Sequence, residues 1–113
     1  MSKTNISKFL DSSVAASTVD ADTFPIVPNG KIVVLKIFGA SIPVRGNGSY
    51  VAIQWGDAIG GWKTIRAISG ESEFQVNREF IGDGVKRFRI IRSNQEAVPQ
   101  SIFAWIEGFI RDA

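Results

Sequence analysis

The chain has 113 residues, 44% hydrophobic and 21% charged, with 13 basic against 11 acidic side chains and a net charge of +2. That is enough for one domain with a real core, and too weak a positive field for a protein that lives by counterion release. His and Cys are both absent, which removes the side chains that most often carry acid–base catalysis, activated thiols and transition-metal sites.

Met1 to Asp22 is polar and small, with Ile6, Phe9, Leu10, Val14 and Val19 as isolated apolar points. It has no continuous apolar stretch of the kind that makes a secretory signal. It reads as an extended N-terminal arm over 1–22 that orders on a neighbouring surface through Ile6, Phe9, Leu10 and Val14, or as a partly disordered terminus. A sandwich domain then occupies 23–113.

Within that domain Phe24 to Val27 is predicted as a short strand closed by a Pro28-Asn29-Gly30 turn. Lys31 to Ile42 is a long Val- and Ile-rich run, hydrophobic enough to be buried on both faces. Gly46-Asn47-Gly48 looks like a hairpin turn into Tyr50 to Trp55, and Gly56 to Gly61 like a loop before a strand from Trp62 to Ile68. Gly70-Glu71 turns into Glu73 to Ile81, where Phe74, Val76 and Phe80 alternate with polar residues. Gly82-Asp83-Gly84 leads into Val85 to Arg92, with Phe88 and Ile90 inward and Arg87 and Arg89 outward. Ser93 to Gln100 is a polar connection. Ser101 to Asp112 fits a helix by its Ile102, Ile106, Ile110 spacing, but Gly108 and the β-branched and aromatic content favour a closing strand. In that strand Phe103, Trp105 and Phe109 share one side. The expected fold is an all-β, antiparallel, jelly-roll-like sandwich of seven to eight strands.

Candidate chemistry is sparse. The pairs Asp20/Asp22 and Glu71/Glu73 lie where solvated charges are ordinary, and no carboxylate series has the spacing of a calcium loop. No catalytic, cofactor or metal residues are assigned, and the expectation is a protein that is not an enzyme. Lys86, Arg87, Arg89 and Arg92 around Phe88, with Lys63, Arg66 and Arg78, could stack and neutralise single-stranded nucleic acid. Intervening acidic residues make a solvated charged face the better reading, and a charge-complementary protein partner would use the same Arg87 and Arg89. Trp55 and Trp62 flank the Gly56 to Gly61 loop; exposed, they would form a sugar platform or an interface hot spot, and buried, they are core.

The polar arm, the run Phe24-Pro25-Ile26-Val27-Pro28-Asn29-Gly30-Lys31 into a long apolar strand, and the closing Ala104-Trp105-Ile106-Glu107-Gly108-Phe109-Ile110 together resemble small tailed-phage virion proteins with a β-sandwich or jelly-roll fold. Capsid decoration (cement) proteins are the type. The resemblance implies a non-enzymatic virion component, made in the host cytoplasm, that clamps a major capsid protein or other virion protein as a homo-oligomer, often a trimer. It implies no membrane and no cofactor. A tail-associated or carbohydrate-binding module and a single-stranded nucleic-acid binder are the alternatives.

Overall fold

The computed structural model describes residues 3–44 and 46–113, so the first two residues of the arm reading lie outside the described residues. Ten strands form: β1 Lys3–Leu10, β2 Ser13–Val14, β3 Thr18–Thr23, β4 Lys31–Ser41, β5 Tyr50–Asp57, β6 Gly61–Ile68, β7 Glu71–Ile81, β8 Arg87–Asn94, β9 Gln100–Ser101 and β10 Phe103–Asp112. β2 and β9 are two-residue pieces, which leaves eight strands of six residues or more.

The pairing follows one rule. The β5–β6 hairpin turns at Asp57 to Gly61, and each strand before it pairs antiparallel with its mirror after it: β4 with β7, β3 with β8, β2 with β9, β1 with β10. The chain is therefore one long nested hairpin. It rolls up because β4 also pairs with β10, and β5 with β8. Two four-stranded sheets result, ordered β1-β10-β4-β7 and β3-β8-β5-β6. This is a jelly-roll sandwich.

Between the sheets lie Val33, Leu35, Phe38 and Ala40 of β4, Ala104 and Ile106 of β10, Val51 and Ile53 of β5, and Phe88 and Ile90 of β8, all at most 2% exposed. Trp55, Phe80 and Phe88 pack ring against ring at 4.7–5.3 Å across this core. β10 is a strand, as Gly108 suggested, and Gly108 has a specific task. The β10–β4 register shifts between Glu107 and Gly108, and a Cβ on Gly108 would stand 2.2 Å from the Val34 carbonyl oxygen. Gly108→Ala is thus expected to cost about 2–3 kcal/mol, the range for forcing atoms into a filled site. The urea midpoint would fall at unchanged m-value, whereas a loss below roughly 0.5 kcal/mol would show that the bulge relaxes freely.

Several sequence readings are corrected. The arm is not outside the sandwich. β1 pairs with β10 over all eight residues and β3 with β8 over six, so 1–22 supplies one edge of each sheet. Phe24 to Val27 is not a strand; Pro25 cannot donate to a ladder, and the segment is held by Phe24 N–H to Phe88 O at 2.9 Å and Val27 N–H to Lys86 O at 3.0 Å. Gly46-Asn47-Gly48 does not make a hairpin, because β4 and β5 belong to opposite sheets and the loop crosses the sandwich. The Gly70 turn crosses likewise. Ser93 and Asn94 extend β8 and are fully buried. Asn94 Nδ2 donates to the carbonyls of Val14, Ala15 and Val98 at 3.0–3.2 Å.

Candidate interaction surfaces

With the core filled, the residues left to meet a partner are those pointing away from it, on the outer face of each sheet. The structure distributes the eight candidate positions unequally over these faces and the interior. Leu10 (8% exposed) and Val14 (2%) are buried in the chain's own core and cannot anchor a partner. Ile6 is half-buried against the same core. Trp55 takes the core option, packed on Phe80 and Phe88. Phe9, Trp62, Arg87 and Arg89 remain on the surface, Phe9 on one sheet and the other three together on the opposite one.

On the β3-β8-β5-β6 sheet, the pairings align Arg87, Gly56 and Trp62 in one row and Thr23, Arg89, Gln54 and Thr64 in the next. The Arg89 guanidinium lies 4.1 Å over the Trp62 ring. Its Nε donates to Gln54 Oε1 at 2.7 Å, and Gln54 Nε2 donates to Thr64 Oγ1 at 3.0 Å. The planar cation is thereby stacked and fixed in direction before any partner arrives. Toward the other end of this face stand Tyr50 and Val19, 38% and 56% exposed, beside the small side chains of Ala21 and Ala52.

The basic stripe that could hold nucleic acid does not assemble. Arg92 is buried at 3% exposure and Phe88 at 2%. Arg66 and Arg78 lie over the Phe74 and Phe80 rings at 4.6 and 5.0 Å. Lys86 sits 3.9 Å from Asp83. The Asp83 carboxyl is held below its ordinary value by the backbone N–H groups of Lys86 and Val85, which it accepts at 2.8 and 2.9 Å. It caps a turn. Among the described residues no group of three or more acidic side chains could hold a metal ion.

The other outer face, on β1-β10-β4-β7, carries a cluster of aromatic rings. Phe9 is 59% and Phe103 37% exposed, Trp105 is half-buried, and Phe9 touches both of the other rings. Their planes are near-parallel, Phe9 to Trp105 at 5.9 Å and 20° and Phe9 to Phe103 at 6.1 Å and 26°. Trp105 lies across Gly39, where a Cβ would come within 2.3 Å of the ring. Its Nε1 donates to Glu73 Oε2 at 2.6 Å. The sequence grouped Phe103, Trp105 and Phe109 on one side of the strand; it held no sign that this side faces water.

The class these features define is a jelly-roll domain whose distinctive residues lie on its two broad faces. The core of Drosophila NLP, in a structure described as giving insight into pentamer formation and histone binding, is similar to it in fold: TM-score 0.55, 13% identity, 96% of this chain and 99% of that one. PirA is similar at TM-score 0.46, 18% identity, 88% of this chain and 92% of that one. So is a chain of infectious bursal disease virus, Gt strain, at TM-score 0.41 and 10% identity, with 97% of this chain matching 30% of the viral one. No protein-family model matches the chain, and no curated protein matches its sequence.

Proposed function

We propose that the chain is a non-enzymatic structural protein of the capsid-decoration type, residing in the virion, and that it docks on an assembled protein lattice through the outer face of the β3-β8-β5-β6 sheet. The observation that carries this reading is Arg89 stacked on Trp62 and tied to Gln54. Trp, Tyr and Arg are the residues most enriched where a few side chains dominate binding between proteins, and here Trp62, Arg89 and Tyr50 share one face with Arg87. Rings and guanidinium are already ordered, so little side-chain entropy is left to lose on docking. A homo-oligomer, a trimer by the sequence resemblance, would repeat this face about an axis and bind with avidity. The fold shared with Drosophila NLP-core, whose structure is described as giving insight into pentamer formation, is compatible with a ring of such domains.

Co-sedimentation tests the reading. Chain added to purified capsids from its own source is expected to pellet with them in a fixed copy number. The Trp62→Ala/Arg89→Ala double variant should bind at least about thirtyfold more weakly, the effect of losing roughly 2 kcal/mol at a hot spot. Wild-type chain left in the supernatant, or a double variant that pellets as well as wild type, would sink the proposal.

A further inference from the structure

The outer face of the β1-β10-β4-β7 sheet has a shape and chemistry that the lattice reading does not use. Its rows follow from the register. Phe9, Trp105, Gly39 and Glu73 align across the four strands; next come Ser7, Glu107, Ile37 and Gln75; then Asn5, Phe109, Val34 and Glu79. The outer rows carry rings and the middle row is mostly polar. Two depressions of about 320 and 560 Å³ occupy this face and meet at Ser7 and Glu107. The first is walled by Phe9 and Trp105, and the second by Phe109 and flanked by Lys3 and Lys36. At about 3.3 Å per residue, the Trp105 and Phe109 walls stand roughly 13 Å apart along β10. The span suits a short chain of rings better than a single one.

We propose that this groove binds a neutral oligosaccharide laid along β10 from Phe103 toward Phe109. A pyranose presents an apolar C–H face and a rim of hydroxyls. The near-parallel Phe9, Trp105 and Phe103 rings offer a surface for the first. Ser7, Asn5, Gln75, Glu107, Lys36 and Lys3 offer donors and acceptors for the second. Both ends of the ring platform are fixed, since Trp105 is seated on Gly39 and bonded to Glu73, and Lys3 lies 4.0 Å over the Phe109 ring. A flat protein partner fits less well, because it would strip water from Glu107 in the middle row and from Lys3 and Lys36 beside it, and need to pair each one. Phosphate-bearing polymers meet Glu71, Glu73 and Glu107 at the aromatic end. Neutral hydroxyls satisfy such groups without burying a charge unpaired, and the open groove lets water complete the rest.

The inference stands on the sheet opposite to the docking face, so each can fail without the other. Its test is calorimetric titration of the full chain with soluble neutral oligosaccharides of the gluco, xylo, manno and galacto series. At least one series is expected to bind and to shift the tryptophan emission. Trp105→Ala and Phe9→Ala should each weaken that binding about tenfold or more. Trp105→Phe should retain most of it, and Trp62→Ala all of it. Unchanged melting temperatures of the Phe9→Ala and Trp105→Phe variants guard against mistaking unfolding for lost binding. The proposal is overturned if no series binds at millimolar concentration, or if Phe9→Ala and Trp105→Ala bind as wild type. It is also overturned if those two variants instead abolish a concentration-dependent self-association, which would make this face a contact between copies.

Discussion

A chain lacking residues 1–22 is expected not to fold. The deletion removes β1, β2 and all of β3 but Thr23, and with them one of the two edge strands of each four-stranded sheet. β10 and β8 would then present unpaired ladder groups to solvent, a template for aggregation. Leu10 and Val14 leave the core, at about 1.5–3 kcal/mol each for side chains of this size. The Asn94 amide loses the Val14 and Ala15 carbonyls, and the buried Arg92 guanidinium loses Ser12 and Asp20. A buried polar group left without partners costs about 1–3 kcal/mol, more for a charged one. These losses come to about 5–12 kcal/mol, as much as the 5–15 kcal/mol that holds an ordinary domain folded, and the lost β1–β10 and β3–β8 pairing adds to them. The truncated chain should show no dispersed amide spectrum and no cooperative thermal transition. A sharp transition and a native-like spectrum from 23–113 alone would restore the arm reading and overturn the β1–β10 pairing.

The arm was the largest misreading, and its cause is physical. Strands at a sheet edge pack less side-chain area than central ones, and β1 exposes most of Lys3 to Phe9 while only Leu10 is buried. What secures it is backbone pairing to β10, and backbone pairing leaves no mark on side-chain composition. The turns show a similar limit. Gly and Asn announce that the chain reverses near residues 46–48 and 70, yet the same residues serve a hairpin and a crossing between sheets. Only the two-sided hydrophobicity of β4 and β10 hinted at which strands are central. That same two-sidedness concealed the groove. β10 has Ala104 and Ile106 on one side and Phe103, Trp105 and Phe109 on the other, so periodicity gave the partition without its sign. Ala104 and Ile106 fill the interior beside Ala40 and Phe38, and Trp105 finds room outside, over Gly39. By contrast the alternation of Phe88 and Ile90 with Arg87 and Arg89 named its own orientation, and the structure agrees.

Arg92 offers the sharpest test of how the β2–β9 end of the roll is held. Arg92→Met keeps most of the stem and removes the charge, and is expected to cost about 3 kcal/mol, a melting drop of roughly 10–15 °C for a domain of this size. The side chain is 3% exposed. Its Nη1 donates to the carbonyls of Ser12 and Ile102 at 2.9 and 2.8 Å, and its Nη2 to Ser12 Oγ and Asp20 Oδ2 at 2.9 and 3.0 Å. One guanidinium thus ties β8 to the segment before β2 and to the segment before β10. Two views of its worth make different predictions. If the ion pair dominates, Asp20→Asn should cost nearly as much as Arg92→Met. Yet the Asp20 side chain is 43% exposed, so water screens it and replaces its lost partner, and a pair of that kind is worth at most about 1 kcal/mol. The Ile102 carbonyl has no such recourse, because its bond to the guanidinium is buried and Ile102 is fully enclosed. The carbonyl fork should therefore carry the larger share. Urea unfolding of both single variants and of the double variant decides it: a double variant no weaker than Arg92→Met alone follows from this account, and an Asp20→Asn loss equal to that of Arg92→Met would refute it.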